Sequence, residues 1–485
     1  MGKGGEINIV QGKQTRKITL EELSQHRTPN DGIINTYCFS FPTPNYYFLY
    51  LAWLSYRGKV YDVSDWEEHP GGSVIFTHAG DDMTDVFTAF HPGSALKALE
   101  PFEIGVLDET VIPTGLYANK LVPVKQKEFE KAYRELRAKM VTMGLFNASP
   151  AYYVYKVGSN LLLLALSVAL ATMTSNFLMN MLGAIILGLF WQQCGWLAHD
   201  FLHHQVFKNR TYGDFAGIII GNLWQGFSVQ WWKSKHNAHH AVPNLHASSP
   251  DAADGDPDID TMPILAWTLR MAETAKDSLM GRFMIKWQAV FYFPVLLFAR
   301  LAWAHQSWVF VFGGFGQHSV KGAAMDRRQM KYPVLESLAL IGHYIGIGSI
   351  MYQMPFLNAL SFFLLAQTSC GLFLAIVFGL GHNGMSVYPA NERPDFWKLQ
   401  VSTTRNVTSN SFVDWFCGGL QYQVDHHLFP SLPRHNLKKV HTLVESFCKE
   451  QGVTYHEANM FVGTMEVLSH LSTVSKEFIT EFPAM

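Results

Sequence analysis

The sequence predicts a small polar N-terminal unit followed by an all-α membrane domain of four transmembrane helices with a cytosolic helical cap. Residues 18–108 are polar and mixed in composition, unlike the chain that follows them. Charged residues make up only 16% of the chain, whereas an average chain has about 25%. Four apolar stretches each reach the roughly 20 residues that a helix needs to cross a bilayer; they lie at about 155–174, 177–198, 334–353 and 355–380.

Length, charge and cysteine usage narrow the class of protein further. With 485 residues, the chain is too long for one ordinary domain. A net charge of −2 argues against nucleic acid as a partner. The five cysteines are scattered and form no C-x-x-C pair, so neither a disulfide framework nor a zinc ribbon is indicated, and a reducing compartment fits. Residues 1–17 are expected to form a disordered N-terminus.

The polar unit contains a histidine turn and, after an aromatic segment, a second histidine. The first motif reads Gly58-Lys-Val-Tyr-Asp-Val-Ser-Asp-Trp-Glu-Glu-His-Pro-Gly-Gly72, and the second reads Thr84-Asp-Val-Phe-Thr-Ala-Phe-His91. Together they resemble the cytochrome b5 domain. The resemblance implies an α+β haem-binding fold over residues 18–110.

By that resemblance, His69 and His91 are the two axial ligands of haem b. Two imidazoles fill both axial positions and leave none for oxygen, so such an iron can only pass electrons. The resemblance also implies an apolar haem pocket, lined by Val63, Phe87 and Phe90.

Residues 32–51 are an atypical insertion into this family pattern. The segment Gly32–Leu51 is apolar, aromatic and nearly uncharged, which is unusual for an exposed loop. Two interpretations stay open: a translated intron, or a genuine insertion that contacts the membrane. After the haem unit, residues 111–154 form a linker with a charged helix from Lys125 to Met143, and residues 155–485 form the membrane domain.

The basic residues predict the orientation of the spans. Neither 157–207 nor 334–384 contains a lysine or an arginine. Under the positive-inside rule, the turns near Ser175 and Met354 face the lumen, and both termini face the cytosol.

Two further apolar stretches, Phe215–Trp232 and Phe291–Gly316, are broken by glycine, proline or charge. We interpret both as interfacial or half-inserted segments. One full additional crossing between the histidine clusters would strand some clusters on the opposite face of the membrane.

Three histidine clusters carry the chemistry of the membrane domain. In the second and third clusters the ligand-capable residues lie at i, i+3 and i+4, so a helix brings them to one face. Imidazole suits iron, zinc and copper, and eight histidines with a glutamine are enough for two metal ions. The clusters read His199-Asp-Phe-Leu-His203-His204, His236-Asn-Ala-His239-His240 and Gln423-Val-Asp-His426-His427.

In their sequence context, the clusters resemble the histidine boxes of cytochrome b5-fused front-end fatty acyl desaturases, whose third box begins with glutamine. The likeness is greatest to the Δ6 desaturases of algae (diatom-like) and fungi, and it includes two further segments. Residue 425 is aspartate where glutamate is more usual. The two segments read Phe190-Trp-Gln-Gln-Cys-Gly-Trp196 and Asp254-Gly-Asp-Pro-Asp-Ile-Asp-Thr261.

The resemblance implies a metal-ligand set for two non-haem irons. Gln423 occupies the variant position and could ligate weakly or act through a water. His382, just past the last span, is either a ninth histidine ligand or a cap on the helix end. Asp200 and Asp425 either orient imidazole rings or lie on the surface. The implied histidine ligands are His199, His203, His204, His236, His239, His240, His426 and His427.

The expected reaction is the O2-dependent insertion of a cis double bond between an existing double bond and the carboxyl end of a C18 polyunsaturated acyl chain. The expected conversions are linoleoyl to γ-linolenoyl and α-linolenoyl to stearidonoyl. No side chain is basic enough to take hydrogen from an unactivated methylene, which explains the demand for iron and O2. The expected electron donor is an NADH-cytochrome b5 reductase acting through the haem. Acyl-CoA and acyl-lipid both remain open as substrates, and the expected location is the endoplasmic reticulum membrane. Trp231, Trp232 and Tyr422 either line the acyl path or anchor the chain at the membrane interface.

Rival interpretations remain. A Δ5 or Δ8 front-end desaturase and a sphingolipid desaturase share the same boxes. A fatty acyl hydroxylase also uses histidine boxes, but the Gln-x-x-His-His form argues against it. A non-catalytic membrane cytochrome b5-type electron carrier would contain haem iron alone, and the eight intact histidines argue against it.

Overall fold

The computed structural model describes residues 16–26, 52–66, 69–108, 110, 124–248, 254–313 and 330–483. The chain divides into two compact units, residues 1–67 with 78–127 and residues 68–77 with 128–485. The insertion 32–51 and the linker residues 111–123 lie outside the described residues.

The first unit is built on a mixed five-stranded sheet in the order β1-β5-β3-β2-β4. The outer strands pair in parallel, β1 with β5 and β4 with β2, whereas the inner pairs are antiparallel. Its elements are β1 (Lys17–Ile18), α1 (Leu20–Gln25), β2 (Trp53–Tyr56), β3 (Lys59–Asp62), β4 (Asp81–Asp82), α2 (Thr84–Phe90), α3 (Leu96–Leu99) and β5 (Glu103–Leu107).

Local sequence explains the central hairpin and the small core of this unit. Arg57 and Gly58 join β2 to β3, and both have positive φ, the conformation that a tight hairpin turn requires. Apolar side chains from β1, α1, β2 and β3 form the core, namely Ile18, Leu23, Trp53 and Val60. The expectation of disorder over residues 1–17 is wrong at Lys17, which pairs with Val106.

The second unit is almost entirely helical. A π-helix, Ile218–Gln225, joins α7 to α8, and two short strands, β6 and β7, pair in parallel. The elements are α4 (Val124–Thr142), α5 (Pro150–Thr172), α6 (Phe177–Leu202), α7 (Arg210–Gly217), α8 (Val229–Ala241), α9 (Leu269–Glu273), α10 (Leu279–Lys286), α11 (Gln288–Leu296), α12 (Ala299–Phe312), α13 (Pro333–Met351), α14 (Phe356–His382), α15 (Phe396–Thr403), β6 (Asn406–Val407), α16 (Ser411–Phe416), α17 (Gln423–Leu428), α18 (Leu437–Gln451), β7 (Glu457–Ala458) and α19 (Met460–Glu481).

Among the described residues, four helices are long and apolar enough to cross a membrane, namely α5, α6, α13 and α14, which confirms the predicted mostly helical domain with about four membrane-capable helices. The pair α11 and α12 also passes this test when taken together, but the two helices are bent by 63°. That bend lies within Phe291–Gly316, the stretch predicted to be half-inserted.

Asparagine side chains close the turn between the first two spans. Asn176 caps α6 by accepting a hydrogen bond from the Met179 N–H. Buried Asn180 donates to the Leu170 carbonyl and accepts from Asn358, so it joins α5, α6 and α14. Such bonds satisfy carbonyls that the end of α5 would otherwise leave unpaired.

Helices α6 and α14 form the centre of the membrane domain, with α5 and α13 at the periphery. In the most apolar window, 56% of α6 and 50% of α14 is buried, against 17% of α5 and 22% of α13. Gly188 lets the central pair approach closely, because a Cβ there would lie 2.9 Å from Ser369 Cβ and 3.0 Å from the Cys370 nitrogen. Small residues allow this approach in membrane helices generally.

We therefore predict that Gly188→Ala destabilises the membrane domain, by about 1–3 kcal/mol for overpacking a tight contact. Gly158→Ala, in α5, is the matched control because nothing lies within 4 Å of its Cβ position. The control should be neutral or slightly stabilising, since alanine is the better helix former. Thermal unfolding of the detergent-purified proteins measures both, and equal midpoints for the two variants would contradict the packing argument.

Candidate metal centre

Five histidines meet at the ends of three helices and form the first histidine group. His199 lies in the last turn of α6 and His203 caps that helix. His236 and His240 lie one turn apart on α8, and His426 lies on α17. Their ligand nitrogens all lie within 4.8 Å of one another, and all five side chains are buried.

Three more histidines form the second histidine group: His239 of α8, His382 at the end of α14 and His427 of α17. Their ligand nitrogens also lie within 4.8 Å of one another. The amide nitrogen of Gln423 is 2.8 Å from His382 Nε2, which brings the variant glutamine to this group. Helix spacing explains the division, because His239 and His240 are adjacent on α8 and point in different directions.

The nitrogen separations fit metal coordination. The Nε2 atoms of His203 and His236 are 2.9 Å apart, and those of His240 and His426 are 3.1 Å apart. Imidazole nitrogen binds zinc at about 2.0–2.1 Å, so neighbouring ligands of one such ion lie about 3 Å apart. Nε2 of His199 and Nε2 of His427 are buried without a hydrogen-bond partner among the described residues. Both groups therefore suit a transition-metal ion.

Acceptors on the second group hold its rings in the ligating tautomer. Nδ1 of His239 is 2.9 Å from the Asp256 carboxylate. Nδ1 of His427 donates to Gln400 Oε1 at 2.9 Å, and Nδ1 of His382 lies 3.2 Å from the Thr403 carbonyl. An acceptor at Nδ1 fixes the proton there and leaves the Nε2 lone pair for a metal.

Asp256 is itself firmly held. Its Oδ2 accepts the Asn244 N–H at 2.7 Å, and its Oδ1 accepts the Asp258 N–H at 2.8 Å. Burial acts to raise the pKa of Asp256, but His239 and these N–H groups lower it below its usual value. The carboxylate is therefore ionised beside the ring.

Burial keeps the other cluster histidines neutral. It lowers the pKa of His203 to about 3, and burial with neighbouring imidazoles holds the pKa values of His236, His240 and His427 well below the usual value. Neutral imidazole is the form that binds metal. At neutral pH, these rings therefore need not lose a positive charge before they bind a metal.

His204 lies outside both groups, although the sequence pattern treated it as a ligand. Helix α6 ends at Leu202, and His204 has φ 57°, so its ring leaves the helical face. Burial lowers the pKa of His204 to about 2, helped by the positive charges of Lys233, Arg210 and Lys331.

The two carboxylates next to the boxes are neither exposed nor bonded to a box imidazole. Asp200 is 2% exposed and forms an ion pair with Arg434 at 2.7 Å. Its nearer oxygen is 3.6 Å from His199 Nδ1, too far for a hydrogen bond. Asp425 is fully buried and accepts from Asn406 and Tyr455. Both carboxylates anchor the backbone that carries the ligands.

A small, largely aromatic cavity of about 10 Å³ adjoins the first histidine group, and Trp232 is among the residues that line it. Trp231 and Tyr422 are buried, at 2% and 4% exposed, and so do not sit at a membrane surface. The other lining residues are Gly195, Trp196, His199, Phe227, Trp303, Leu374 and Phe378.

The two histidines expected to bind haem each have an oriented ring. Nδ1 of His69 lies 3.0 Å from the Gly72 carbonyl, and Nδ1 of His91 lies 3.2 Å from the Phe87 carbonyl. Burial lowers the pKa of His69. Phe87 stacks on His91 at 4.5 Å, and Val63 is fully buried. In both rings, Nε2 is the nitrogen suited to an iron.

Comparison with known proteins agrees with this site. Residues 175–459 match the fatty acid desaturase family, and residues 51–108 match the cytochrome b5-like haem/steroid binding domain. The chain belongs to the fatty acid desaturase family. The desaturase is 38% identical over 459 residues to an acyl-lipid (9-3)-desaturase of Physcomitrium patens, covering 94% of this chain and 78% of that protein.

Two other relatives extend the comparison. A Δ6 fatty-acid desaturase of Caenorhabditis elegans is 32% identical over 441 residues, 84% of this chain and 93% of that protein. A Δ8 fatty-acid desaturase of Euglena gracilis is 31% identical over 431 residues, 88% and 96% of the two chains. The desaturase is therefore a membrane oxidoreductase of the front-end type with a fused cytochrome b5-like domain, and its histidine groups could hold a di-iron centre.

Sequence reasoning missed Asp256 and Gln400, the side chains that orient His239 and His427. Gln400 lies in α15, which is outside the three histidine boxes in the sequence. Asp256 belongs to the acidic segment 254–261, which was noted only as a family likeness. A signal for Asp256 was present in the sequence, because aspartates alternate along this segment shortly after the second box. Metal-bound histidines commonly donate their other ring N–H to a carboxylate, so such a run indicates possible partners.

We predict that the His203→Ala and His204→Ala variants differ in their content of non-haem iron. His203→Ala should lower non-haem iron by about half or more, because it breaks one of two metal groups. His204→Ala should retain the iron, since its ring lies outside both groups. Iron per haem in the purified proteins measures this, with the thermal unfolding midpoint of the membrane domain as the control for folding. Equal iron loss in both variants would return His204 to the ligand set.

A second prediction concerns Asp256. Asp256→Asn removes the charge from His239 while keeping the shape, and should lower metal affinity or activity about 10–100-fold. Asp277→Asn, at an exposed position, is the matched control. Iron per haem after graded chelation distinguishes the two variants. Wild-type iron retention in Asp256→Asn would show that the carboxylate does not support the ligand.

Proposed function

We propose that the enzyme is a Δ6 front-end desaturase of C18 polyunsaturated acyl chains, converting linoleoyl to γ-linolenoyl and α-linolenoyl to stearidonoyl groups. The observation that carries this proposal is the convergence of eight buried histidines in two groups, the first of which adjoins a small aromatic cavity that His199 lines. An acyl methylene brought to that cavity would lie beside the metal-binding nitrogens. Similarity to a Δ6 and a (9-3) desaturase supports the regiochemistry.

The proposed ligand set follows the two histidine groups. The first group would hold one iron and the second group, completed by Gln423, would hold the other. Bound iron supplies, with O2 and two electrons, the oxidising power that removes two hydrogens from adjacent methylenes. The protein contributes neutral, oriented imidazoles and a largely aromatic surface beside them. The histidines assigned here are His199, His203, His236, His240 and His426 for the first iron and His239, His382 and His427 for the second.

Electrons would enter through the fused haem domain, with His69 and His91 as axial ligands. An NADH-cytochrome b5 reductase is the proposed donor. Fusion raises the local concentration of the haem near its acceptor, so no separate carrier needs to collide with the enzyme. The substrate would be an acyl-lipid or an acyl-CoA, entering from the bilayer.

We further propose an endoplasmic reticulum location with both termini and the metal site on the cytosolic side. The absence of lysine and arginine from 157–207 and 334–384 supports this orientation. Ligands before α13 and after α14 belong to the same groups, so the number of crossings between them must be even. Helices α13 and α14 supply two, which makes the bent pair α11–α12 a re-entrant element rather than a fifth span.

A Δ8 desaturase is the second candidate, because the Euglena relative carries that name at nearly the same identity as the Δ6 relative. A double bond at C8 of a C20 chain leaves the same number of carbons towards the methyl end as one at C6 of a C18 chain. The number of carbons towards the methyl end therefore does not distinguish the two candidates.

Expression in a host without polyunsaturated acids tests the proposal. We predict that fed linoleic and α-linolenic acids gain a cis double bond at C6, located by mass spectrometry of derivatised products. The double variant His236→Ala/His240→Ala is the inactive control, since it removes two first-group nitrogens. A product desaturated at C8 of fed C20 acids, with none at C6, would favour the second candidate. Wild-type protein with full haem and non-haem iron that gives no new double bond would overturn both.

A further inference from the structure

Glu336 is an acidic side chain buried inside the membrane domain, in the first turn of α13 and only 1% exposed. Its Oε2 accepts hydrogen bonds from the Ser228 hydroxyl at 2.6 Å, from the Asn222 side-chain amide at 3.2 Å and from the Gln230 N–H at 3.3 Å. A buried carboxyl group is costly unless its oxygens are bonded, and within a membrane domain such a residue usually marks a function. All three donors belong to residues 222–230, so Glu336 is directed at one short segment.

This segment is the start of α8. A helix leaves its first N–H groups without acceptors inside the helix, and they must be satisfied from elsewhere. The first three N–H groups of α8 each have a side-chain acceptor, namely Asn222 for Val229, Glu336 for Gln230 and Ser228 for Trp231. Two of these acceptors precede α8 in the chain, and the third comes from another helix.

That third acceptor supplies what the sequence of α8 lacks. An acidic side chain near a helix N-terminus stabilises the helix through its dipole. The first turn of α8 contains no acidic residue. Glu336 fills this role from α13, 106 residues further along the chain than Gln230. The capping of α8 therefore depends on a helix of the membrane-spanning set.

The buried face of α13 is directed at this region at a second point. Glu336 and His343 are seven residues apart and lie on the same buried face of α13. Nδ1 of His343 lies 3.1 Å from the Leu223 carbonyl, in the π-helix that leads into α8. A Cβ at Gly226, which ends this π-helix with φ 83°, would collide with the His343 ring. Both polar residues of the buried face thus hold the chain that enters α8.

Helix α8 carries ligands of both histidine groups. His236 and His240 belong to the first group and His239 to the second. His236 follows Gln230 by six residues, which is about 9 Å along a helix. Because one short helix supplies both groups, a shift at its start moves ligands of both.

We propose that Glu336 is a positioning residue for the metal centre, which holds the start of α8 against α13 and thereby places the second histidine box in both histidine groups. This inference rests on the proposed function, because it takes the two groups to be iron sites. Groups in such a site must be held within about 0.5 Å of their working geometry by the structure around them. Glu336 acts through α8, whose three histidines are the ligands.

The test compares the retention of non-haem iron by full-length wild-type enzyme and by Glu336→Gln, which keeps the shape and removes the acidic group. The measured quantity is the chelator concentration that removes half of the non-haem iron, with haem as the internal reference. We expect this concentration to fall about tenfold or more, since a displacement of about 1 Å has large effects on a preorganised site. Both irons should leave together, because α8 has ligands in both groups.

Ser337→Ala is the matched control. Ser337 is the next residue of α13, and its hydroxyl bonds to the Pro333 carbonyl of the same helix. This variant should keep the iron retention of the wild type.

A second pair of variants approaches the same contact from α8. Ser228→Ala removes the hydroxyl that donates to Glu336 and should weaken iron retention in the same direction, whereas Ser228→Thr keeps a hydroxyl and should restore it. In the metal-free protein, the first N–H groups of α8 should exchange with solvent about fivefold faster in Ser228→Ala than in Ser228→Thr, because a cap is lost. Exchange in α14 should be the same in both variants.

A merely structural role gives a different pattern. It would lower the thermal unfolding midpoint but leave the folded protein with the iron retention of the wild type. That result in both Glu336→Gln and Ser228→Ala overturns the inference, and if Glu336→Gln does not fold, equal iron retention in Ser228→Ala and Ser228→Thr overturns it. Failure of the proposed function appears in the wild type instead, as bound iron without a C6 double bond, and leaves the difference between the variants in place. Wild-type enzyme that binds no non-haem iron would overturn both.

Discussion

Imidazole nitrogens from four separate helices meet at one end of the central helix pair, and this convergence is the constraint on which the rest of the membrane domain depends. His199 and His203 lie at the end of α6, and His382 lies at the end of α14. The remaining histidines of the two groups lie on α8 and α17. The spans between the second and third boxes must return the chain to the side from which it left. Close packing at Gly188 fixes the position of α6 against α14.

The two histidine groups are held in different ways, so their metals would not be equivalent. In the second group, a carboxylate, an amide oxygen and a backbone carbonyl each accept from a ring Nδ1. In the first group, ring packing has this role, for example where Trp232 stacks on His236 at 4.2 Å. A charged acceptor raises the basicity of its histidine. The Asp256–His239 pair therefore makes the second site the more electron-rich one, whereas the first site faces the cavity.

Apolar length and histidine spacing predict much of this architecture, because both depend on local periodicity. Four stretches of about 20 residues became four helices, and the second and third boxes lie on helices as expected, but each box divides its side chains between the two histidine groups instead of presenting them on one face. The spacing argument fails at His204 because it assumes that α6 continues, and the helix ends two residues earlier. Adjacency in sequence also misled for Asp425, whose side chain points away from the neighbouring histidines to Asn406 and Tyr455. Gln400 reaches the site only through tertiary folding, so no local pattern identifies its role, whereas Asp256 lies in the run of alternating aspartates after the second box.

A buried charge fixes the bent pair α11–α12 to the central helices. The Arg300 guanidinium, only 1% exposed, donates to the Gln225 carbonyl, is 3.2 Å from His343 Nε2 and lies 4.7 Å from the centroid of the Trp191 ring. These contacts join α12 to the π-helix, to α13 and to α6. A charge taken out of water is costly unless other groups hold it in place, so the start of α12 has one favourable position against its neighbours. The histidines at the ends of α6 and α14 therefore depend on a scaffold that is held by polar contacts as well as by apolar packing.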